Sequence, residues 1–199
     1  MDELPPYIDT LKNVFKFEPD WSEWGFIVFR ATAYGPEADA QSVEFRRRWD
    51  QVIEEGHADQ RGFHPKSDRA IQLLQFQWVE DPVLEGASPI EVSQRFNEMW
   101  TDLPTGLATS ACLMVTPEAL QSVLKSPLPS SAPLQDRREI PYVVAVSRVV
   151  HYPPPDLTPG EEREDVFGHN FKGHFNVAVE GSLREFYPWS LWIFRAFLD

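Results

Sequence analysis

An α+β domain is predicted by three observations. Residues Trp24 to Tyr34 read as a central strand, helical stripes follow it twice, and segments of period two lie between and beyond those helices. The resulting order is strand, helix, strand, helix, strand, helix, strand, strand and an apolar terminal helix. Leaving out the second helix gives βαββαβ, the split arrangement of ferredoxin-like folds. The expectation is a ferredoxin-like sandwich with an inserted helix and an extra C-terminal strand. Its helices lie on one face of a mainly antiparallel sheet. An arm, a long loop, the terminal segment or a second subunit covers the other face.

The first strand, Trp24-Gly25-Phe26-Ile27-Val28-Phe29-Arg30-Ala31-Thr32-Ala33-Tyr34, is filled with aromatic and β-branched residues and stopped by Gly35-Pro36. Both its faces are largely apolar, as in a strand covered on both sides. Arg30 breaks that pattern. A buried guanidinium needs a partner or a wet cavity, so Arg30 is the first residue of interest. Phe45, Trp49, Val52 and Ile53 then form one stripe of a helix from about Asp39 to Glu55, with Gly56 as its stop. His57 to Asp68 is a polar loop. From Ile71 to Glu80, Leu74, Phe76 and Trp78 alternate with Gln75, Gln77 and Val79, a strand with one wetter face, ended by Asp81-Pro82.

Ser88-Pro89-Ile90-Glu91 supplies an N-cap, a proline at the first helical position and a capping-box acid, and Val92, Phe96, Met99, Trp100 and Leu103 follow at helical spacing. Ala108 to Val115 is a third strand, and Thr116-Pro117-Glu118 opens a short helix through about Leu124. Lys125 to Glu139, with three prolines, is an extended connection. Ile140 to Val150 is a fourth strand. His151 to Gly173 contains Pro153-Pro154-Pro155 and the run Glu161-Glu162-Arg163-Glu164-Asp165, and reads as a long loop of the functional or disordered kind. Phe175, Val177 and Val179 define a fifth strand. The segment 189–198 is apolar nearly all round, which fits a helix and leaves a strand open. Residues 1–23 read as an arm packed on the domain, so 1–199 is a single unit.

A chain of 199 residues buries enough surface to stand without staples. The lone Cys112 lies among Ala111, Leu113, Met114 and Val115 and reads as a small buried hydrophobe in a reducing compartment. No basic-then-apolar leader opens the chain and no run reaches the roughly 20 apolar residues of a membrane helix, so a cytoplasmic setting without membrane contact is expected. A formal net charge of −13 argues against nucleic acid as a partner. Arg46-Arg47-Arg48 does not alter this, because three consecutive helical residues point in different directions.

The segments Trp24-Gly25-Phe26-Ile27-Val28-Phe29-Arg30, Trp78-Val79-Glu80-Asp81-Pro82-Val83-Leu84-Glu85-Gly86-Ala87-Ser88 and Thr116-Pro117-Glu118-Ala119-Leu120 together resemble a widespread group of uncharacterised small proteins of filamentous fungi. The likeness covers about residues 24–125, with an echo at Tyr187-Pro188. It implies a fungal source and an intracellular setting, and transfers no catalytic residue.

Four constellations bear on chemistry. Arg30 and Tyr34 share a face of the first strand and, with a carboxylate, would bind a polar substrate or stabilise an enolate; a structural ion pair is the plainer reading. Glu80 and Asp81 end the second strand beside Trp78, where desolvation would raise a carboxyl towards acid–base work, although Asp81-Pro82 is also ordinary turn chemistry. His169 and His174, with His151, gather imidazoles around the long loop. They read as proton handlers or as hydrogen-bonded surface histidines, and their spacing argues against a metal centre. Seven tryptophans and 14 phenylalanines supply either an aromatic core or a pocket for an apolar or aromatic small molecule, with Trp24, Trp78 and Glu80 in contact with it.

No phosphate loop, dinucleotide fingerprint, nucleophile elbow or paired-cysteine motif is present, so no cofactor is expected. The resulting expectation is a small-molecule-binding protein, leaning to a cofactor-independent cyclase, isomerase or dehydratase that uses Arg30, Tyr34, Asp81, His169 and His174. The alternative is a noncatalytic interaction module, homodimeric through 189–198.

Overall fold

The computed structural model describes residues 22–57, 71–132, 136–148, 173–187 and 190. Expectations for the N-terminal arm, for the loop carrying His151 and His169, and for the terminal segment apart from Ser190 lie outside the described residues.

Five strands form one mixed sheet: β1 (Trp24–Arg30), β2 (Leu74–Val79), β3 (Ala111–Val115), β4 (Tyr142–Ser147) and β5 (His174–Ala178), in the order β2-β1-β3-β4-β5. Three α-helices accompany them among the described residues: α1 (Pro36–His57), α2 (Pro89–Trp100) and α3 (Pro117–Lys125). β1 runs parallel to both of its neighbours, with Phe29 opposite Val79 and Arg30 opposite Val115. β3, β4 and β5 pair antiparallel, with Cys112 opposite Val146 and Val146 opposite His174.

The α+β class holds, but the strand order is not that of the split βαββαβ sandwich. The reason lies in the helix that the ferredoxin-like reading set aside. α2 is the crossover that returns the chain from β2, past β1, to lie parallel beside it as β3, and parallel neighbours require such a connection. α2 also covers the sheet face expected to await an arm or a second subunit. Ile27 and Phe29 of β1 and Ala31 just after it pack with Cys112, Met114, Val144, Val146 and the α2 residues Val92 and Phe96. Trp24, Phe26 and Val28 meet Phe45, Trp49 and Val52 of α1 and Leu120 and Val123 of α3 on the other face. Every residue of β1 is buried as a result.

Local signals explain the helix ends. The Ser88 hydroxyl accepts from the Glu91 amide at 3.4 Å while a Glu91 carboxylate oxygen accepts from the Ser88 amide at 2.7 Å, the reciprocal box that satisfies two end groups of α2. Thr116 caps α3 through the Ala119 amide at 3.2 Å. Arg48 reaches from α1 to the carbonyls of Val123 and Ser126 at the end of α3, whereas Arg47 pairs with Glu44 and Gln51 in solvent. The three consecutive arginines therefore diverge. α1 runs one residue past the expected stop at Gly56.

The amino end of β1 is closed by backbone. Gly25 has φ +142°, and a Cβ on it would lie 1.9 Å from the Gln75 carbonyl oxygen; one on Gly106 would lie 2.0 Å from that of Glu23. Only glycine fits either place. Tyr187, at the end of a π-helical turn (Ser182–Phe186), seals this region, its hydroxyl donating to the Gly106 carbonyl at 2.9 Å and its ring meeting Trp24 edge-on at 4.7 Å. Cys112 is buried, and desolvation pushes its thiol well above the usual range.

Candidate functional site

β1 and β2 run in the same direction and in register, so their carboxyl ends open side by side. Arg30 is the last residue of β1 and Glu80 the first after β2. Alternation along β1 puts Arg30 on the face of Trp24, Phe26 and Val28, under the first turns of α1. There its guanidinium is nearly enclosed, at 5% exposure. Nη2 donates to Asp39 Oδ1 at 2.7 Å and also to the Ala33 carbonyl, Nε donates to Thr32 Oγ1 at 3.1 Å, and Nη1 stands 3.5 Å from Glu80 Oε1. The Tyr34 ring covers it, 4.1 Å from Cζ. The sequence asks of this arginine either a partner or a wet cavity, and the structure supplies two carboxylate partners beside a cavity.

A second guanidinium completes the arrangement. Arg46, two turns along α1 from Asp39, places Nη2 2.6 Å from the same Glu80 Oε1 and lies over the Trp78 ring at 4.6 Å. Trp78 is held edge-on by Phe45 and Trp49. The stack orients Arg46, which stays one-third exposed. Between these groups is a cavity of about 310 Å³, lined by Arg30, Tyr34, Asp39, Ser42, Val43, Arg46, Glu80 and Pro82. Asp39, Ser42, Val43 and Arg46 follow the i, i+3, i+4, i+7 rule, so one stripe of α1 forms a wall. Burial raises the Tyr34 phenol above its usual value, the Arg30 charge offsets part of that, and Glu80 and Asp81 add to the rise.

The candidate residues separate into two groups. Arg30, Tyr34, Glu80 and Trp78 come together at this cleft. Asp81 stands at its rim as the cap of a 3₁₀ turn (Pro82–Leu84), accepting from the Val83 amide at 3.1 Å, with Oδ2 4.0 Å from Arg95 Nε. Trp24 is at the opposite end of β1, 1% exposed in the core and away from the cavity wall. His174 opens β5, three strands and so about 14 Å across the sheet from β1, level with Cys112 and hence with the middle of β1. It does not join Arg30 and Tyr34. His169 lies outside the described residues. Among the described residues, Trp24, Phe26, Phe29, Phe45, Trp49 and Phe96 are buried in the two cores.

Sequence reasoning missed Asp39, Ser42, Val43 and Arg46. The available signal was the spacing of Asp39 and Arg46 on the polar stripe of a helix that begins just after a strand ending in a buried arginine. Among the described residues no group of three or more His, Cys, Asp or Glu side chains is arranged to hold a metal ion, and no helix is long and apolar enough to cross a membrane. The chain matches no protein-family model, and no curated protein and no solved structure shows significant similarity to it.

Proposed function

We propose that the protein binds a small molecule in the cleft at the carboxyl ends of β1 and β2, with Arg46, Glu80 and Tyr34 facing the ligand and Arg30 as a positioning residue. The observation that carries this reading is where the charges stand. The cavity lies outside the carboxyl ends of the parallel strands β1 and β2, the end at which open sheets with parallel strands bind ligands, although the reversal of sheet order falls on the other side of β1, between it and β3. A satisfied ion-pair network there, with a cavity beside it, is preorganised to orient a polar ligand without first rearranging.

Acid–base turnover by an isomerase, cyclase or dehydratase is the catalytic extension of this proposal. It assigns Tyr34 the part of a neutral hydrogen-bond donor to a developing oxyanion rather than of a proton donor, since burial raises its phenol and so weakens it as an acid. The charged wall shifts the expected ligand from a wholly apolar molecule to one with a polar head, leaving Val43 and Pro82 for an apolar part.

The test is thermal unfolding, followed by tryptophan fluorescence, with and without a small-molecule extract of the source cells. A ligand at about 100 times its Kd adds about 2.7 kcal/mol, a readily measured shift. The shift should vanish in Val43→Trp, which fills the cavity from an exposed position. Absence of any shift, or a shift that survives this substitution, would overturn the proposal.

A further inference from the structure

We infer that the ligand is a zwitterion, a molecule of free amino acid size carrying both an ammonium and a carboxylate. This rests on the cleft being a binding site. The wall groups balance, two guanidiniums (Arg30 and Arg46) against two carboxylates (Asp39 and Glu80). Arg30 is enclosed by its own partners. Left for a ligand are the outer edge of Arg46 and the free oxygens of Asp39 and Glu80, whose side chains are 53% and 43% exposed.

A singly charged ligand is disfavoured at either pole. An anion on Arg46 would meet Glu80, which already lies 2.6 Å from Nη2; a cation on Asp39 would meet Arg30, 2.7 Å from Oδ1. Each pole therefore carries a built-in repulsion against the lone ion that its opposite charge attracts. A zwitterion satisfies both poles and leaves the cleft neutral, so no uncompensated charge is buried.

The poles also converge. Asp39 and Arg46 leave α1 two turns apart, with Ser42 and Val43 between them, but their charged ends are drawn together through Glu80, whose Oε1 lies 2.6 Å from Arg46 Nη2 and 3.5 Å from the Arg30 guanidinium that also holds Asp39. The ligand ammonium is directed to Asp39 and Glu80, and its carboxylate to the guanidinium fork of Arg46 over Trp78, which is geometrically matched to two carboxylate oxygens. Val43, at 69% exposure, and Pro82 are left for an apolar substituent. A volume of about 310 Å³ lies at the small end of ligand sites. A net charge of −13 adds long-range repulsion against free monoanions.

The experiment is isothermal titration of the full chain with the free amino acids, followed for each binder by its decarboxylated amine and its deaminated acid; for leucine these are isoamylamine and isocaproate. At least one amino acid should bind, more tightly than either partial analogue by about tenfold or more. Arg46→Gln should weaken the zwitterion while changing the amine little, and Val43→Trp should abolish both. Equal binding of an amine or an acid, or no binding by any amino acid, overturns the inference. If no amino acid binds but the extract still stabilises the protein in a manner sensitive to Val43→Trp, the cleft reading stands and the zwitterion alone falls. If the extract effect is also lost or insensitive, both fall together.

Discussion

Trp24 and Arg30 sit on the same face of the same strand, six residues and about 20 Å apart, and their surroundings are opposite. At the amino end, two glycines let backbone approach backbone, Tyr187 closes the gap with one hydrogen bond, and aromatic edges fill the remainder. At the carboxyl end, two arginines and two carboxylates surround a cavity open to water. The dry end stores stability in shape and tolerates no added atom. The wet end stores it in paired charges, the ones that the proposed ligand would meet. One strand thus serves as anchor and as wall.

The comparison breaks most severely at the dry end. Gly106→Ala places a Cβ 2.0 Å from the Glu23 carbonyl oxygen, so β1 has to shift. A loss of about 3 kcal/mol or more in urea unfolding is expected. A loss below about 1 kcal/mol would show that the backbones are not in close contact.

Next comes Arg30→Met, which leaves Asp39 and Glu80 without their buried partner. Because both carboxylates are about half exposed, the expected loss of about 2–3 kcal/mol lies below that of a fully buried pair. Arg30→Lys should not restore it, since an ammonium cannot reach Thr32, Ala33, Asp39 and Glu80 from one plane. Equilibrium unfolding of both variants decides the point.

Arg46→Gln sharpens the contrast. Its ion pair is partly exposed, so unfolding should move by less than about 1 kcal/mol while ligand affinity falls.

The smallest effect is a pH dependence. Glu91 is held below its usual value by hydrogen bonds from the Ser88 backbone and then its side chain. A carboxyl with a lowered folded-state pKa stabilises above its unfolded value and loses that contribution as pH falls through the folded one. The Tm gap between wild type and Glu91→Gln should therefore be present at neutral pH and close as pH drops below 4.5. A gap that persists in acid would show that the ionised capping box is not its source.

Legibility followed the range of the interactions. The ends of α2 and α3 were readable because Ser88, Glu91 and Thr116 act within one helical turn. The burial of β1 on both faces was readable because Ile27 and Phe29 on one face and Phe26 and Val28 on the other leave neither side polar. The need of Arg30 for partners was readable, and Glu80 stood among the candidates. Asp39 and Arg46 did not, because a polar residue on a helix looks the same in sequence whether it faces solvent or a cleft. Trp24 and His174 were grouped with Arg30 by residue type; the length of β1 separates Trp24 from it, and the strand order separates His174.

By itself the sequence determined the class of the domain, nearly all the described elements, the caps, and the rule that Arg30 must be neutralised. These follow from backbone propensity and side-chain period, which act between near neighbours. Only the tertiary structure decided that β3 returns parallel to β1, that α2 covers the second face, and that Asp39, Arg46 and Glu80 meet at one end of the sheet. Alternation says which face a residue occupies but not which strand lies beside it. A helix between two strands permits either direction of return, and packing the whole chain selects one.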